Sequence, residues 1–340
     1  MKVLVTGGTG FLGRAVVARL AAAGHELTLL VRPTASRDGF PAGVTFAAGD
    51  VTDRASLVAA AQGQQAIVHA AALVKLVASA ADFDRVNVGG LENVLWAAAE
   101  AGVGRLVYVS SFIALGPTEG GPGGELDETA DAPLDRRTER PWINDYERTK
   151  TLADRRAREA IAAGAPLVVV YPGVIYGPGV MTEGNLVVRG IVEALHRRLP
   201  ALVGDAARRW SYVHVDDVAT GVQAALERAP TGGRYVLGGE NVSLGDFYGT
   251  IERLSGVPVP KRWLPRGLAK AMGWLMRAWS QVFGGTPKLT PDLVEVCHHD
   301  WAYRSDTAAR TLGYAPRSLA QGMAETIAWL EATGAWKRRP

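Results

Sequence analysis

A tyrosine and a lysine four residues apart, Tyr146 and Lys150, are the side chains of this sequence best suited to proton transfer. Residues at i and i+4 project from the same face of a helix, so both can reach one pocket. A phenol with a pKa of about 10 is a weak base at neutral pH. A neighbouring ammonium favours the phenolate and lowers that pKa. The spacing therefore predicts a tyrosine acid or base assisted by Lys150.

Two adjacent hydroxyls, Ser110 and Ser111, precede this pair by about thirty-five residues. They end an apolar run, residues 104–110, that is typical of a buried strand. A parallel sheet presents the carboxyl ends of its strands to ligands. A hydroxyl there can therefore donate to a substrate oxygen and orient it toward the tyrosine. The residues alone leave open which serine does so.

The chain begins with an apolar strand and a glycine-rich turn, Gly7-x-x-Gly10-x-x-Gly13, that leads into a helix. Gly7 permits a tight turn, Gly10 leaves no Cβ between the backbone and a pyrophosphate, and Gly13 lets the helix lie close to the sheet. The N-terminus of the helix offers unpaired N–H groups to phosphates. We therefore expect a dinucleotide site here that also includes Phe11 and Leu12.

Strand and helix patterns alternate through the first half of the chain, which predicts βαβ units around a parallel sheet. The fold class expected is α/β, a doubly wound sheet of the Rossmann type. The strands are predicted at residues 2–6, 26–31, 43–47, 65–70, 104–110 and 166–171. The helices are predicted at residues 11–23, 53–62, 82–102 and 144–164. Residues 116–142, rich in Gly, Pro and charge, are predicted to form a long loop.

The second half is less regular and predicts a smaller α/β lobe interleaved with the last strands of the sheet. A strand is predicted at 234–238, and helices near 186–198, 216–228, 244–255, 266–283 and 318–332. We expect residues 1–171 to form the dinucleotide-binding domain, with elements near 210–240 returning to it. Residues 172–340 would mainly bind substrate.

Composition excludes several classes of protein. The 340 residues are 48% hydrophobic and 21% charged, which is typical of a soluble globular protein. The net charge of +3 is scattered, so no nucleic-acid-binding face is expected. A single cysteine, Cys297, excludes a disulfide framework and favours a cytoplasmic location. We expect no signal peptide, transmembrane segment or metal site.

Two further segments, Tyr171 to Gly179 (YPGVIYGPG) and Tyr212 to Ala219 (YVHVDDVA), complete a family pattern. Together with the glycine turn, the serines and Tyr-x-x-x-Lys, they make residues 1–240 resemble the extended short-chain dehydrogenase/reductases. The resemblance implies hydride exchange between a nicotinamide cofactor and an alcohol or carbonyl compound. It also implies that Tyr146 is the acid or base and that Lys150 holds the ribose of the cofactor.

The family pattern places a glycine five residues after the catalytic serine. Gly116 stands at that distance from Ser111, so the resemblance selects Ser111 over Ser110. Asn87, on the helix predicted at 82–102, is expected to support the site by holding backbone groups or a water. The resemblance further implies cofactor contacts at Asp50, Val51, Ala70, Ala71, Ala72, Pro172 and Val174.

Arg32 ends the second predicted strand, where an acidic residue favours NAD and an arginine can pair with the 2′-phosphate of NADP. We therefore expect NADP, with help from Arg37. Because farnesol dehydrogenase-like relatives include NAD users, NAD is the alternative.

Two departures from the family pattern narrow the reaction. Nucleotide-sugar dehydratases of the family carry an Asp-Glu pair where this chain has Phe112 and Ile113. Nucleotide-sugar epimerases carry an arginine, for the diphosphate, where this chain has Trp210. Arg208 and Arg209 can compensate, so a 4-epimerase is an alternative. A second alternative, a non-catalytic cofactor-binding subunit, is disfavoured by the intact Ser, Tyr and Lys.

The remaining resemblance is to dihydroflavonol-reductase-like and plant farnesol dehydrogenase-like proteins, and predicts a hydrophobic alcohol or ketone as substrate. The residues expected to supply apolar surface near the reacting oxygen are Phe112, Ile113, Tyr176, Met181 and Trp210.

Residues 261–285 contain an apolar stripe at helical spacing, formed by Leu268, Met272, Leu275, Trp279 and Val282. The favoured interpretation is that this stripe packs as core on the rest of the protein. The alternative is that it walls the substrate pocket or makes a peripheral contact with a membrane. The sequence leaves a homodimer open.

Overall fold

The computed structural model describes residues 1–118, 124–128, 142–182 and 184–337. The strands in this part of the chain are β1 (Lys2–Thr6), β2 (Glu26–Val31), β3 (Thr45–Ala48), β4 (Ala66–His69), β5 (Arg105–Val109), β6 (Leu167–Pro172), β7 (Val174–Tyr176), β8 (Arg209–His214), β9 (Arg234–Leu237) and β10 (Glu240–Ser243). The predicted long loop, 116–142, lies largely outside the described residues.

The helices of the first half are α1 (Phe11–Ala22), α2 (Arg54–Ala61), α3 (Ala80–Phe83), α4 (Gly89–Glu100) and α5 (Asp145–Ala162). The helices of the second half are α6 (Leu186–Leu195), α7 (Val215–Arg228), α8 (Leu244–Ser255), α9 (Arg266–Phe283), α10 (Pro291–Val296), α11 (Asp306–Leu312) and α12 (Leu319–Ala332). A π-helical turn occupies Asp84–Val88, and a short 3-10 helix occupies Phe112–Ala114.

The central element is a seven-stranded sheet with the strand order β3-β2-β1-β4-β5-β6-β9. All its pairings are parallel, which confirms the predicted Rossmann-type α/β fold. Helices cover both faces, so the apolar runs at the sheet centre, such as Val3–Val5 and Leu167–Val170, are buried throughout. Every strand predicted in the first half is present within two residues of its predicted ends.

A second sheet of three strands, β10-β8-β7, was missed by the sequence analysis. Its strands have three to six residues, and β7 follows β6 after the single residue Gly173. Of the segment expected to return to the first domain, β9 joins the large sheet and α7 packs against α1 and the large sheet. The strand β8 instead lies at the centre of the small sheet.

The single helix predicted at 82–102 is divided into α3, the π turn and α4. The interruption coincides with Asn87, whose side chain leaves the helix surface to bond the backbone of Leu73. An extra residue in a helical turn re-aims one side chain and is frequent at functional sites. Among the described residues, no helix has the length and apolar character needed to span a bilayer.

Candidate active site

The predicted site residues converge on one edge of the large sheet because they follow the carboxyl ends of neighbouring parallel strands. The glycine turn follows β1, Arg32 follows β2, Asp50 follows β3 and Ala70 follows β4. Ser111 follows β5, and Pro172 ends β6. Ligands of doubly wound sheets bind at this edge. The topology thus brings together residues that are more than a hundred positions apart in the chain.

Helix α5 carries Tyr146 and Lys150, and its start is fixed by side-chain capping. The Asn144 carbonyl oxygen Oδ1 accepts the Glu147 backbone N–H at 2.8 Å. The buried Glu147 carboxylate accepts the Ile143 N–H at 2.8 Å. Such caps satisfy N–H groups that the first helical turn leaves unpaired. Tyr146 is therefore held on the first turn of a well-defined helix.

Ser111 is the serine that reaches Tyr146. Burial raises the pKa of Tyr146 to about 12, and a hydrogen bond with the Ser111 side chain opposes this rise. The neighbouring Ser110 is buried, and its hydroxyl acts instead on the pKa of Tyr108. The net shift at Tyr146 is upward, opposite to the direction expected from Lys150. The physical reason is that loss of hydration of the phenolate outweighs the hydrogen bond that favours it.

Lys150 is buried beneath α5, with only 2% of its surface exposed. Its Nζ lies 3.5 Å from the Val109 carbonyl oxygen and 5.4 Å from the centre of the Tyr108 ring. Both groups present partial negative charge to the ammonium. They do not offset the loss of hydration, because burial lowers the pKa of Lys150 to about 8.

His69 is a packed residue in a neutral state. Burial, and secondly the charge of Lys150, lowers the pKa of His69 to about 3. Its Nδ1 lies 2.7 Å from the Thr6 hydroxyl, and its ring stacks on Tyr108. Because the His69 imidazole is neutral, Lys150 is the cation in the group formed by His69, Tyr108 and Lys150.

Two polar residues fasten α5 to the π turn. Asn87 Nδ2 donates to the Thr149 hydroxyl at 3.1 Å, while Asn87 Oδ1 accepts the Leu73 N–H at 2.7 Å. Arg148 makes a bidentate pair with Asp84 at 2.8 and 2.9 Å. Asn87 thus holds backbone groups of Leu73, while its expected supporting role at the site stays a prediction. The Arg148–Asp84 pair was missed, although Asp84 lies three residues before Asn87, at a spacing that places the two on one helix face.

The glycine turn has the geometry of a dinucleotide cradle. A Cβ on Gly13 would lie 2.0 Å from the Gly7 carbonyl oxygen, so α1 rests directly against the turn. Gly7 has a φ of +74°, and a Cβ there would lie 2.5 Å from the Ala71 nitrogen. A Cβ on Gly10 would approach the Gly7 carbonyl oxygen at 3.3 Å. The residues therefore fit a dinucleotide whose pyrophosphate meets the N-terminus of α1.

The other residues predicted to bind the cofactor lie on α1 or lie at or follow the carboxyl ends of β2, β3, β4 and β6. Phe11 lies under Gly179, where a Cβ would be 2.8 Å from the Phe11 ring. One Asp50 oxygen accepts the Thr52 N–H and hydroxyl at 2.9 and 2.8 Å. Arg32 is exposed at the end of β2. Leu12 lies on the side of α1 that faces the sheet, and Val51 follows the end of β3. Ala70, Ala71 and Ala72 lie in the loop after β4, and Pro172 and Val174 lie where β6 connects to β7.

Comparison with known proteins identifies this arrangement. The model of the NAD dependent epimerase/dehydratase family matches residues 3–238, well over half of the chain. The chain belongs to this family. Its members include extended short-chain dehydrogenase/reductases, as the sequence analysis predicted.

Similar proteins within the family extend over almost the whole chain. A protein named putative dihydroflavonol 4-reductase, from a Synechocystis species, is 30% identical over 97% of this chain and 94% of its own length. The 4-hydroxy-2-methyl-3-oxo-4-farnesyl-3,4-dihydroquinoline-1-oxide ketoreductase of Stigmatella aurantiaca is 30% identical over 93% of this chain and 92% of its own. The crystal structure of gox2253 is 33% identical, with a TM-score of 0.81, and covers 98% of this chain and 99% of its own. The likeness to the two reductases supports an oxidoreductase.

The five residues predicted to contact substrate differ in burial: four are buried and Met181 is exposed. Phe112 and Ile113 are buried beside Ser111, and Phe112 meets Trp301 and Tyr303 edge to face.

Tyr176 is buried against His214, and its hydroxyl lies 3.4 Å from the Leu319 carbonyl oxygen. Trp210 donates its indole N–H to the His299 carbonyl oxygen at 3.1 Å. Met181 is 45% exposed. The structure thus assigns Tyr176 and Trp210 to core packing and leaves Met181 at the surface.

Three further exposed apolar side chains, Val74, Trp142 and Val180, were missed because exposure cannot be derived from the sequence. Large hydrophobic residues stand exposed in the loops that follow β4, precede α5 and follow β7, namely Val74, Trp142, Val180 and Met181. We call these four residues the apolar rim. Gly184 packs against Val74, which joins two of these loops. No cluster of three potential metal ligands occurs among the described His, Cys, Asp and Glu residues.

The buried Lys150 predicts a pH dependence of stability. Its pKa is lowered from 10.5 in the unfolded chain to about 8 in the folded one. Between these values the unfolded chain retains the proton and the folded chain has released it, so stability rises with pH. The difference in unfolding free energy between wild type and Lys150→Met should increase by up to about 3 kcal/mol from pH 8 to 10.5. Urea unfolding at several pH values measures it.

The exposed Lys288 provides the matched control, because Lys288→Met removes an ammonium that keeps most of its hydration on folding. The difference in unfolding free energy between wild type and Lys288→Met should stay constant from pH 8 to 10.5. A flat difference for Lys150→Met as well would contradict the assignment of Lys150 as a buried ammonium.

Proposed function

We propose that this protein is a nicotinamide-dependent oxidoreductase that interconverts a hydrophobic alcohol and its carbonyl compound through Ser111, Tyr146 and Lys150. The observation that carries the proposal is that α5, with Tyr146 and Lys150 one helical turn apart, lies against the end of β5, which leads into Ser111. The Lys150 Nζ lies 3.5 Å from the Val109 carbonyl oxygen, and the Ser111 side chain opposes the rise in the pKa of Tyr146. These three groups stand at the sheet edge onto which the glycine cradle also opens.

In the reducing direction, the Tyr146 hydroxyl donates its proton to the carbonyl oxygen of the substrate, and Ser111 donates a hydrogen bond to the same oxygen. The nicotinamide cofactor, when bound, supplies the hydride for the carbonyl carbon. Burial raises the pKa of Tyr146 to about 12, which keeps the phenol protonated at neutral pH and suits it to act as an acid. The Lys150 ammonium then stabilises the phenolate left behind and holds the ribose.

The choice of cofactor rests on Arg32 and its neighbours. Arg32 is exposed at the end of β2, next to the loop that carries Arg37. The Arg37 guanidinium lies 5.6 Å from the Phe46 ring centre, and that of Arg14 lies 4.4 Å from the Phe40 ring centre. Three guanidinium groups at this end of the site favour a ligand with an additional phosphate. NADP is therefore the proposed cofactor and NAD the alternative.

The substrate class follows partly from what the arginines near Trp210 already bind. Arg208 pairs with Asp205 at 3.1 Å and with Asp300 at 3.3 Å. Arg209 pairs with Glu125 and donates to the Asn241 carbonyl oxygen at 3.2 Å. Guanidinium groups held by carboxylates are poorly available to a sugar nucleotide diphosphate. This weakens the epimerase alternative.

The names of the relatives point the same way. One is named putative dihydroflavonol 4-reductase and another a farnesyl dihydroquinoline-oxide ketoreductase, and both names describe reduction of ring compounds rather than of sugar nucleotides. The apolar rim supports a substrate of this kind, because it places apolar surface where the loops of the site meet solvent. We infer an isoprenoid-like or polycyclic alcohol or ketone.

Replacing Tyr146 with phenylalanine should remove most turnover while cofactor affinity is nearly unchanged. Proton transfer by a positioned side chain contributes about 10²–10⁴-fold, and kcat should fall by a factor in that range. Tyr248→Phe is the matched control, because burial also raises the pKa of Tyr248 to about 12 although the residue lies in α8. If Tyr146→Phe retained more than half of the wild-type kcat, the assigned role would be wrong.

Arg32→Ala should reduce the preference for NADP over NAD. A charge-assisted contact with the 2′-phosphate, about 1.5–3 kcal/mol, corresponds to roughly a ten- to hundredfold preference in the wild type. Fluorescence titration of the wild type and of Arg32→Ala with NADP and with NAD measures this preference. The affinity for NAD should change little, and equal affinity of the wild type for the two cofactors would defeat the assignment.

Activity should rise with the length of the apolar chain of the substrate. Each buried methylene contributes up to about 0.8 kcal/mol, so kcat/KM should increase over a homologous series of ketones. UDP-sugars serve as the contrasting substrates. Turnover of UDP-sugars without turnover of any aliphatic or aromatic ketone would replace the proposal with the epimerase alternative, and no turnover at all would favour the non-catalytic one.

A further inference from the structure

Helix α9 presents large apolar side chains to solvent. The exposed fractions are 50% for Leu268, 60% for Trp274, 72% for Leu275, 65% for Trp279, 74% for Val282 and 67% for Phe283. The rings of Trp279 and Phe283 lie 4.2 Å apart between centres and form one aromatic patch. We call these six residues the α9 face. The interpretation favoured from the sequence, that this stripe packs as core, is wrong for every stripe residue except the half-buried Met272.

The helix packs on the protein with its small residues instead. Ala269 and Gly273 are its buried positions. A Cβ on Gly273 would lie 2.8 Å from the backbone of Thr290 and Pro291, so α9 lies directly against the start of α10. A surface helix normally turns its large apolar residues inward and its polar residues outward. The reversed arrangement of α9 leaves the apolar side for a partner.

Basic residues frame the α9 face. Residues 257–291 contain no Asp or Glu, and the Lys and Arg residues of this segment are Lys261, Arg262, Arg266, Lys270, Arg277 and Lys288. Several of them pair with carboxylates outside the segment, as in Lys261–Glu252, Arg266–Glu295 and Lys288–Glu193. In each of these pairs the basic side chain is the more exposed partner. Lys261, Arg266 and Lys288 therefore present positive charge outside their carboxylate partners, whereas Arg277 and its partner Asp292 are about equally exposed.

Helix α9 lies on the side of the protein where α5 begins. Arg277 lies 3.5 Å from Asp292 of α10. Asp292 in turn lies close enough to Asp145 for that carboxylate to raise its pKa, in addition to the larger effect of burial. Asp145 begins α5 and directly precedes Tyr146. The helix with the unpartnered apolar side thus stands on the side of the site where α5 begins and where Trp142 of the apolar rim is exposed.

We propose that the α9 face docks on the surface of an anionic phospholipid bilayer. Exposed Trp, Phe and Leu side chains enter the boundary between headgroups and acyl chains, and flanking Lys and Arg residues meet the anionic headgroups. The helix lies on the membrane and does not cross it. If the proposed function is correct, a hydrophobic substrate can enter from the bilayer through the apolar rim. The docking proposal does not depend on that function.

A second copy of the chain fits this face less well. A two-fold interface places the same patch on both partners. It would bring the positive frame, including Lys261, Arg266 and Lys288, against itself, and like charges at an interface are unfavourable. An anionic surface complements both the apolar centre and the basic frame.

Vesicle sedimentation tests the proposal with the full chain. The probes are vesicles of phosphatidylcholine alone and of phosphatidylcholine mixed with phosphatidylglycerol. We expect the wild type to bind the mixed vesicles more tightly, with binding that weakens as salt is added. The triple variant Leu275→Ser, Trp279→Ser, Val282→Ser should bind about tenfold more weakly or worse. Trp96→Ser, at an exposed tryptophan of α4, is the control and should bind like the wild type.

Three results would overturn the docking proposal. They are failure of the wild type to bind mixed vesicles, equal binding by the triple variant, or a wild-type dimer in sedimentation velocity that the triple variant converts to a monomer. Thermal unfolding verifies that the triple variant is folded. Its turnover of a short water-soluble ketone without vesicles should match the wild type. Vesicle binding without turnover of any ketone would defeat the proposed function and leave docking intact.

Discussion

The burial of one ammonium group constrains most of the architecture around the site. Lys150 lies beneath α5 with a carbonyl oxygen and an aromatic ring as its nearest partners, and its pKa falls because these do not replace water. Such a group is held only if the helix above it cannot shift. The caps at Asn144 and Glu147 and the ties from Arg148 and Thr149 to the π turn supply that rigidity. A supporting shell of this kind positions reacting groups accurately.

Burial at the site also sets the protonation states of His69 and Tyr146. His69 stays neutral because burial, and secondly the charge of Lys150, lowers its pKa. Tyr146 stays protonated because its surroundings are too dry for a phenolate, while the Ser111 hydroxyl moderates the effect. Pairs of titratable groups whose environments shift their pKa values apart are typical of sites built for proton transfer. Here the shifts leave a phenol acid and a cation of lowered pKa on one face of α5.

The parts of the fold that were predictable from the sequence are those fixed by local patterns. Buried parallel strands read as continuous apolar runs, and the glycine turn reads as strand, turn and helix, so the large sheet and the cradle were predicted closely. The small sheet was missed because β7 has three residues and β8 pairs with β10 only after α7 and β9 intervene. Ser111 could be preferred over Ser110 from a family pattern alone. The environment that separates the two hydroxyls arises from α5 and β5 meeting in space.

Tertiary context also decided what the amphipathic and charged segments do. Trp210 resembled a pocket residue in sequence, but the carbonyl oxygen of His299, far along the chain, binds its indole. Arg208 and Arg209 resembled diphosphate ligands in the sequence, but in the structure they pair with Asp300 and Glu125. In α9 the apolar stripe was predicted at the correct spacing, but it was predicted to face the protein and instead faces solvent. The side that faces the protein is the one with Gly273, because a larger residue there would not allow α10 to approach as closely. Periodicity fixes which residues share a face, whereas packing decides whether that face is turned inward or outward.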